Sequence, residues 1–202
     1  MNLLAHAHLS GNDHNILLGN FIADAVKGNK ILDYKKEIQS GILLHRKIDT
    51  FTDNHPVVKQ SIERVRPDFG RFAGIVVDIY YDHFLARNWH VYDERELSVF
   101  AAHVYGILAR NLFILPHRTK RLLPFLIAQN WLTAYASFRG LQQVFYGMDR
   151  RTKRISGMDK AIEVLKINYD ELFNDFTNFY PELIDYSKSE REKIIRDINN
   201  TE

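Results

Sequence analysis

The sequence contains no cysteine, which excludes disulfide frameworks, thiolate nucleophiles, iron–sulfur clusters and zinc sites with thiolate ligands. No apolar run approaches the roughly 20 residues that a membrane-spanning helix needs, since the longest candidate, residues 122–128, is interrupted by Pro124. The amino-terminal segment has no basic region, and His6 and His8 fall where a signal peptide needs an unbroken apolar core. These absences predict a cytoplasmic protein that does not cross a membrane.

An excess of one charge is also lacking, because 27 Lys and Arg residues oppose 25 Asp and Glu residues, for a formal net charge of +2. That balance argues against nucleic-acid binding through the overall field of the protein, so a charged partner has to be met by a local patch. Hydrophobic residues make up 46% of the 202 residues, enough for one sizeable core, and we expect a single domain over residues 1–202.

Apolar residues recur at helical spacing, and no alternation typical of a β-hairpin is sustained. Pro56, Pro67 and Pro116 fall between the periodic segments and predict helix boundaries, because the first turn of a helix tolerates a residue without an N–H group. Gly28 and Asn29 predict a left-handed cap at the end of the second helix. The predicted helices cover residues 2–9, 15–27, 34–52, 56–65, 69–89, 94–112, 119–138 and 158–175, with a shorter one over residues 142–148. The sequence thus predicts an all-α, single-domain bundle of about eight helices.

Polar residues continue the apolar stripes of three predicted helices, at positions that should face the core. The apolar residues that define these stripes are Leu17, Phe21, Ile38, Ile42, Phe72, Ile75, Val76 and Ile79. The polar residues that continue them are Asp24, His45, Asp49 and His83, with Asp78 and Asp82 on the margin of the last stripe. Tyr80, Tyr81, Phe84 and Trp89 are expected to be mostly core residues.

An unpaired buried carboxylate costs on the order of several kcal/mol, so inward-facing acids need a compensating positive charge. Salt bridges to Arg46, Arg71 and Arg87 are one source of that charge, and a divalent metal ion is the other. Carboxylates and imidazoles together on separate helices favour the metal ion. A shell of carboxylate and histidine without sulfur suits Mn²⁺ or Mg²⁺, and less often Zn²⁺ or Fe²⁺. Such a site predicts metal-assisted hydrolysis of a phosphate ester.

Four ordered motifs occur along the chain: N-L-L-A-H at residues 2–6, G-N-F-I-A-D at 19–24, G-I-L-L-H-R-K-I-D-T-F-T-D at 41–53 and D-I-Y-Y-D-H-F-L-A-R-N-W at 78–89. They are followed by R-R-T-K-R-I from residue 150 and F-Y-P at 179–181. Together these strings resemble the acyl carrier protein phosphodiesterase family, also called acyl carrier protein hydrolase, over nearly the whole chain.

The resemblance implies an all-helical fold distantly related to the HD-domain metal-dependent phosphohydrolases. It also implies removal of the 4′-phosphopantetheine arm from holo acyl carrier protein, by hydrolysis of the phosphodiester to the carrier's serine, with a divalent cation, typically Mn²⁺. The histidine and acid motifs of the family fall on His6, Asp24, His45, Asp49, Asp78, Asp82 and His83. The HD pair is reversed in this chain, where Asp82 precedes His83.

On this basis we expect a metal shell drawn from Asp24, His45, Asp49, Asp82 and His83, in which some residues act through water or orient a neighbour. His6 and Asp78 are the candidates for proton transfer or ligand orientation, and a hydrogen-bonded core histidine is an equally good interpretation of His6. Arg46, next to His45, is the candidate to point bidentate donors at the phosphodiester.

Two basic strings are candidates for contact with the substrate, because acyl carrier proteins are small and acidic. The first, H-R-T-K-R at residues 117–121, is interpreted mainly as solvated surface. The second, R-R-T-K-R at residues 150–154, matches the family pattern, so Arg150, Arg151 and Arg154 are expected to contact the carrier or its phosphate.

Two alternatives remain open. One is an HD-type phosphohydrolase that acts on a nucleotide or another small phosphate ester, and the other is a non-catalytic binder of an acidic protein that holds no metal tightly. Nucleic acid is not an expected partner, since no helix shows a basic stripe that faces a groove. The sequence predicts no membrane partner and leaves the oligomeric state open.

Overall fold

The structure, a computed structural model, describes residues 2–152 and 155–199, without the side chains of residues 151 and 199. Within these ranges the chain forms eleven α-helices and no strand, which confirms the all-α prediction. None of the described helices is long and apolar enough to cross a bilayer. The helices are α1 (Leu3–Leu9), α2 (His14–Ile22), α3 (Lys36–Asn54), α4 (Pro56–Phe69), α5 (Ala73–Arg87), α6 (Leu97–Arg110), α7 (His117–Ala128), α8 (Trp131–Ala134), α9 (Phe138–Arg151), α10 (Ala161–Ile167) and α11 (Tyr169–Asn199).

Two of the three proline boundaries are confirmed. Pro56 is the first residue of α4, and Pro116 directly precedes α7. Pro67 is not a boundary, because α4 continues to Phe69. A proline so close to the end of a helix removes a single backbone hydrogen bond, and the chain leaves α4 immediately afterwards through Gly70, whose φ is +51°.

Three predicted helices are shorter or more divided than expected. The helix predicted over residues 15–27 ends at Ile22 and continues as a short 3-10 turn, Ala23–Ala25, so Gly28 does not cap it. The segment predicted over residues 119–138 divides into α7 and α8 at Asn130, which has a left-handed φ of +45°. The segment predicted over residues 158–175 divides at Asn168 into α10 and the much longer α11.

Helix α5 runs through the middle of the bundle and packs against α1, α4 and α11. Its residues 79–86 are all buried, including Asp82 and His83, neither of which is exposed to solvent. Tyr80, Tyr81 and Phe84 are buried, as is Trp89 just after the helix, as predicted. Ile75 was expected in the core but is 40% exposed, since it precedes the fully enclosed part of α5.

Helices α2 and α3 cross at two glycines with their backbones almost in contact. A Cβ atom on Gly19 would fall far inside the contact distance of the Ile38 carbonyl oxygen, and one on Gly41 would do the same with the Ile16 carbonyl oxygen. This crossing brings Asn20, next to Gly19, against His45, one turn after Gly41. The close approach of the two helices therefore sets the geometry of the site described below.

We expect Gly41→Ala to lower the free energy of unfolding by about 1–3 kcal/mol, because the added methyl group forces two backbones apart. The measurement is urea denaturation followed by circular dichroism. Gly106→Ala in α6 is the matched control, since its Cβ would meet only the Arg110 side chain at an ordinary 3.6 Å and the change favours the helix. Equal unfolding midpoints for Gly41→Ala and wild type would contradict the close crossing.

Candidate metal and active site

Three side chains from α1 and α3 converge in one place. His6, His45 and Asp49 each offer a ligand atom, and these atoms lie within 4.8 Å of one another. The Nε2 atoms of His6 and His45 are each 3.1 Å from a different carboxylate oxygen of Asp49. An oxygen of Asp24 lies 3.5 Å from His45 Nε2. These four residues, His6, Asp24, His45 and Asp49, are called the His/Asp cluster.

Local structure explains two of the contacts. His45 and Asp49 are four residues apart on α3, so their side chains lie on the same face of the helix. His6 lies on α1, and its imidazole stacks on that of His45 with ring centroids 3.9 Å apart and planes inclined by 21°. The two rings therefore present their nitrogen atoms to the same neighbours.

Asn20 fixes the orientation of both imidazoles. Its side-chain nitrogen donates to the carbonyl oxygen of His6, at 2.9 Å, and to the hydroxyl of Ser10, at 3.0 Å. Because a carbonyl oxygen only accepts hydrogen bonds, this contact assigns the nitrogen end of the amide. The other end, Oδ1, lies 2.8 Å from His6 Nδ1 and 3.0 Å from His45 Nδ1, so both rings donate to it.

Each imidazole therefore carries a proton on Nδ1 and points Nε2 at the carboxylate of Asp49. A nitrogen lone pair that faces a carboxylate is repelled unless a proton or a cation lies between them. Histidine ligands of metal ions usually hold the second ring nitrogen in this way, with its N–H donated to an oxygen acceptor. The arrangement of the His/Asp cluster thus fits a divalent cation bound by two imidazoles and one or two carboxylates.

The charges of the cluster are consistent with this donor set. Burial and the neighbouring His45 lower the pKa of His6 to about 4. Burial also acts to lower the pKa of His45, but hydrogen bonds to Asp24 and Asp49 outweigh it and raise that pKa to about 9. The bond to His45 lowers the pKa of Asp24. For Asp49 burial opposes the change, yet the two neighbouring imidazoles hold its pKa well below the usual range. The cluster therefore combines ionised carboxylates with a proton on His45 that a cation would displace.

Asp24 lies on the open side of the cluster. Its side chain is 80% exposed, so the predicted burial of Asp24 below Leu17 and Phe21 is wrong. The reason is local, because α2 ends at Ile22 and the following 3-10 turn rotates Asp24 away from the apolar stripe. Asp24 lines a small cleft together with His6 and His45.

Asp82 does not lie in the His/Asp cluster, contrary to the expected metal shell. It is fully buried, and its two carboxylate oxygens accept the backbone N–H groups of Leu4, at 2.8 Å, and Ala5, at 3.1 Å. Burial raises the pKa of Asp82 to about 7, against the effect of these two bonds. The Asp82 carboxylate thus accepts hydrogen bonds from N–H groups in the first turn of α1 that have no partner within the helix. These bonds position the helix that carries His6.

His83 is also separated from the cluster. Its Nδ1 lies 2.6 Å from the carbonyl oxygen of Tyr135, and its ring packs against Phe84, Phe138 and Tyr169. Burial lowers the pKa of His83. The imidazole therefore occupies an aromatic region of the core, and its position does not support the expected role as a metal ligand.

The remaining catalytic candidates are placed as follows. Asp78 lies half-buried on α5, and burial raises the pKa of its carboxyl group. Among the described residues, the group whose ligand atoms converge is His6, His45 and Asp49, without Asp78. Arg46 is exposed, and its guanidinium donates to the carbonyl oxygen of Val26 at 3.3 Å. That bond connects the Arg46 side chain to the backbone of the segment that follows α2.

The basic strings differ in their distance from the cluster. Arg150 lines a cavity formed by residues of α9 and its neighbours, none of which lines the cleft of His6 and His45. The side chain of Arg151 and the whole of Arg154 lie outside the described residues. Arg118, from the first string, lines two cavities that Asp24 also lines. The structure therefore favours the first string over the second as the basic region beside the site.

Sequence reasoning missed Asn20. The residue lies inside one of the four motifs, and its position on a helix that is otherwise apolar from residue 16 to residue 22 was the available signal. A neutral amide needs no charge compensation, so a criterion based on inward-facing acids does not select it. The structure makes it the residue that joins both imidazoles.

We expect Asn20→Ala to weaken Mn²⁺ binding by about 10–100-fold, because both imidazoles lose the acceptor that fixes their tautomer and orientation. The measurement is calorimetric titration of the purified protein with MnCl₂. Asn15→Ala is the matched control, since Asn15 is exposed on the same helix. Equal affinities for Asn20→Ala and Asn15→Ala would contradict this role.

Comparisons with known proteins agree over almost the whole chain. The profile of the family described as acyl carrier protein phosphodiesterase matches residues 1–183. A protein of that name from Enterobacter sp. (strain 638) is 35% identical over 192 residues, which is 95% of this chain and 100% of the relative. The protein of that name from Photorhabdus laumondii is 34% identical, over 94% of this chain and 96% of the relative.

A third relative, the acyl carrier protein phosphodiesterase of Yersinia enterocolitica, is 33% identical over 95% of this chain and 100% of the relative. No solved structure is significantly similar to the chain. The relatives are matched over nearly their full length, so the similarity extends well beyond a shared site motif. The chain therefore belongs to the acyl carrier protein phosphodiesterase family and is a hydrolase of phosphodiester bonds.

Proposed function

We propose that this chain uses a divalent cation, held by the His/Asp cluster, to release 4′-phosphopantetheine from holo acyl carrier protein. The observation that carries the proposal is the shared acceptor on Asn20, which leaves both Nε2 atoms facing the carboxylate of Asp49. The family to which the chain belongs indicates acyl carrier protein as the substrate.

The proposed ligands are His6, His45 and Asp49, with Asp24 completing the set from the open side. Two nitrogens and carboxylate oxygens without sulfur suit Mn²⁺, Fe²⁺ or Zn²⁺, with Mg²⁺ as a further alternative, and the family resemblance favours Mn²⁺. Such an ion, when bound, supplies Lewis-acid stabilisation of the phosphodiester oxygens and favours the ionisation of water near neutral pH.

Asp24 is the member of the cluster that meets the solvent, since its carboxylate is exposed and ionised. In the proposed reaction, the oxygen of a water molecule forms a bond to phosphorus and the bond from phosphorus to the serine oxygen breaks. Asp24 orients that water, whose proton passes to solvent, and the serine oxygen takes up a proton as it leaves. The products are apo carrier and 4′-phosphopantetheine, a phosphate monoester.

A surface beside the cluster fits an acidic protein. Arg118 and Arg121 lie on α7 and line one surface pocket with Phe125, an aromatic side chain that is 61% exposed. Positive charge steers and orients an acidic partner, and an exposed aromatic ring supplies apolar contact. We therefore assign carrier docking to the first basic string and not to Arg150.

Charge reversal tests this assignment. We expect Arg121→Glu to raise KM for holo carrier about tenfold, the effect of losing roughly 1.4 kcal/mol of binding, with kcat little changed. Lys188→Glu, on the exposed side of α11, is the control for net charge. A larger effect of Arg150→Glu than of Arg121→Glu would return docking to the second string.

The activity itself is tested by incubating the protein with holo carrier and MnCl₂ and following the carrier by mass spectrometry. We expect loss of the mass of phosphopantetheine, inhibition by EDTA and recovery on addition of excess Mn²⁺. An unchanged carrier mass would contradict the proposal, and faster hydrolysis of a nucleotide than of holo carrier would favour a phosphohydrolase of small esters.

A further inference from the structure

An apolar cavity of about 150 Å³ opens beside the His/Asp cluster. It shares four lining residues with the small cleft of His6 and His45, namely Asn2, Leu3, Phe21 and Asp24. A group bound at the cleft therefore has this cavity as its immediate neighbour.

The cavity is apolar inside and charged at its rim. Phe21, Ile22, Trp131 and Val144 are buried side chains of its wall, and Leu122 is a partly buried one. At the opening, Asp24 and Arg118 are both exposed. Apolar walls with a few polar groups at one end are typical of sites that bind a small organic group and fix its direction.

Trp131 forms a rigid part of the wall. The preceding residue, Asn130, has φ +45° and ψ +55°, a left-handed conformation that turns the chain sharply into α8. The indole Nε1 donates to Oε1 of Gln129 at 2.8 Å, which fixes the ring. Gly147 of α9 faces the other edge, where a Cβ atom would lie 3.6 Å from the indole. The ring is thus held in place before any ligand binds, which limits the entropy lost on binding.

We propose that this cavity binds the branched apolar segment of the pantetheine arm, the carbon with two methyl groups that lies one methylene from the phosphate ester. The assignment rests on the proposed function, which places the phosphodiester at the cluster. One side of that phosphorus leads to the carrier protein, and the other leads directly to this branched carbon. Among the two cavities that Asp24 and Arg118 both line, this one also shares Asn2, Leu3 and Phe21 with the cleft of His6 and His45.

Size limits what the cavity accepts. A volume near 150 Å³ holds a group about the size of benzene, so the branched carbon and its methyl groups fit and the whole arm does not. The amides and the thiol of the arm therefore lie outside. Arg118 lines the same cavity as Asp24 and is exposed, so its guanidinium donors are available to the phosphate.

Binding can be measured without the metal or the carrier. The chain has two tryptophans, so Trp89→Phe leaves Trp131 as the single indole reporter. We expect titration of this variant with pantetheine, in the presence of EDTA, to change the tryptophan emission saturably, whereas Trp131→Phe gives no such change. No saturable change up to millimolar pantetheine overturns the proposal.

Kinetics provide a second test. We expect Trp131→Ala to raise KM for holo carrier at least tenfold, an ordinary effect for apolar groups lost from a pocket. The kcat for holo carrier should change much less than KM, because Trp131 lines the cavity and not the cleft of His6 and His45. Trp89→Ala is the matched control, because Trp89 is equally buried and does not line the cavity.

Leu122→Ala, at a partly buried position of the wall, keeps the test available if Trp131→Ala does not fold. An unchanged KM for holo carrier in a folded variant overturns the assignment of the arm to this cavity. Failure of the proposed function has a different signature. In that case the wild-type protein does not hydrolyse holo carrier, while pantetheine still changes the emission of Trp131 and supports the cavity as its site.

Discussion

Replacing His45 by Ala is expected to abolish Mn²⁺ binding and to reduce hydrolysis of holo carrier at least about a thousandfold, which corresponds to the loss of roughly 4 kcal/mol of transition-state stabilisation. His45 has the largest expected effect because its Nε2 contacts both Asp24 and Asp49. Without the imidazole, two carboxylates face each other with no nitrogen ligand from α3. Metal content is measured by elemental analysis after dialysis, and activity by carrier mass.

The controls use other histidines of the chain. His90→Ala removes an exposed imidazole and should leave both metal content and rate unchanged. His83→Ala tests whether His83 of α5 is a metal ligand. We expect it to lower stability while metal content is retained, because His83 lies among aromatic rings. Metal content retained by His45→Ala, or lost only in His83→Ala, would contradict the assigned cluster.

Asp82→Ala is expected to lower the free energy of unfolding by about 2–5 kcal/mol. The substitution leaves the buried N–H groups of Leu4 and Ala5 without an acceptor, and each such group costs about 1–3 kcal/mol. Asp82→Asn should be less harmful, since the amide keeps one acceptor oxygen. The measurement is urea denaturation, with Asp185→Ala at an exposed position of α11 as the control.

Metal affinity separates a positioning role of Asp82 from a ligand role. Folded Asp82→Ala, or Asp82→Asn if the alanine variant does not fold, should still bind Mn²⁺, with a weaker affinity that reflects the loss of order in α1. Complete loss of Mn²⁺ binding with an unchanged unfolding midpoint would instead place Asp82 in the metal shell.

The sequence was sufficient to predict that the two candidate residues of one regular helix lie close together. His45 and Asp49 are four residues apart, and helical geometry alone places them on one face of α3. His6 was selected from its motif, but sequence alone left open whether it was a core histidine. Its stacking on His45 depends on how α1 packs, which local periodicity does not encode.

Periodicity was least informative where a helix is buried on all sides. Residues 79–86 of α5 are buried on every face, so burial of Asp82 and His83 was predictable but their neighbours were not. The burial of Asp24 was wrongly predicted for a different reason. Helix α2 ends two residues before Asp24, so the apolar stripe of the helix does not extend to it. The preference between the basic strings also needed the tertiary structure, because only that shows Arg118 lining the same cavities as Asp24.

The most direct measurement is electron paramagnetic resonance of the protein titrated with Mn²⁺. If the His/Asp cluster holds the cation, we expect one tightly bound ion per chain, with hyperfine coupling to imidazole nitrogen. That coupling should weaken in His6→Ala and disappear with the bound ion in His45→Ala. A bound ion that shows no coupling to nitrogen, or one whose signal is the same in wild type and His45→Ala, would contradict the cluster as the metal centre.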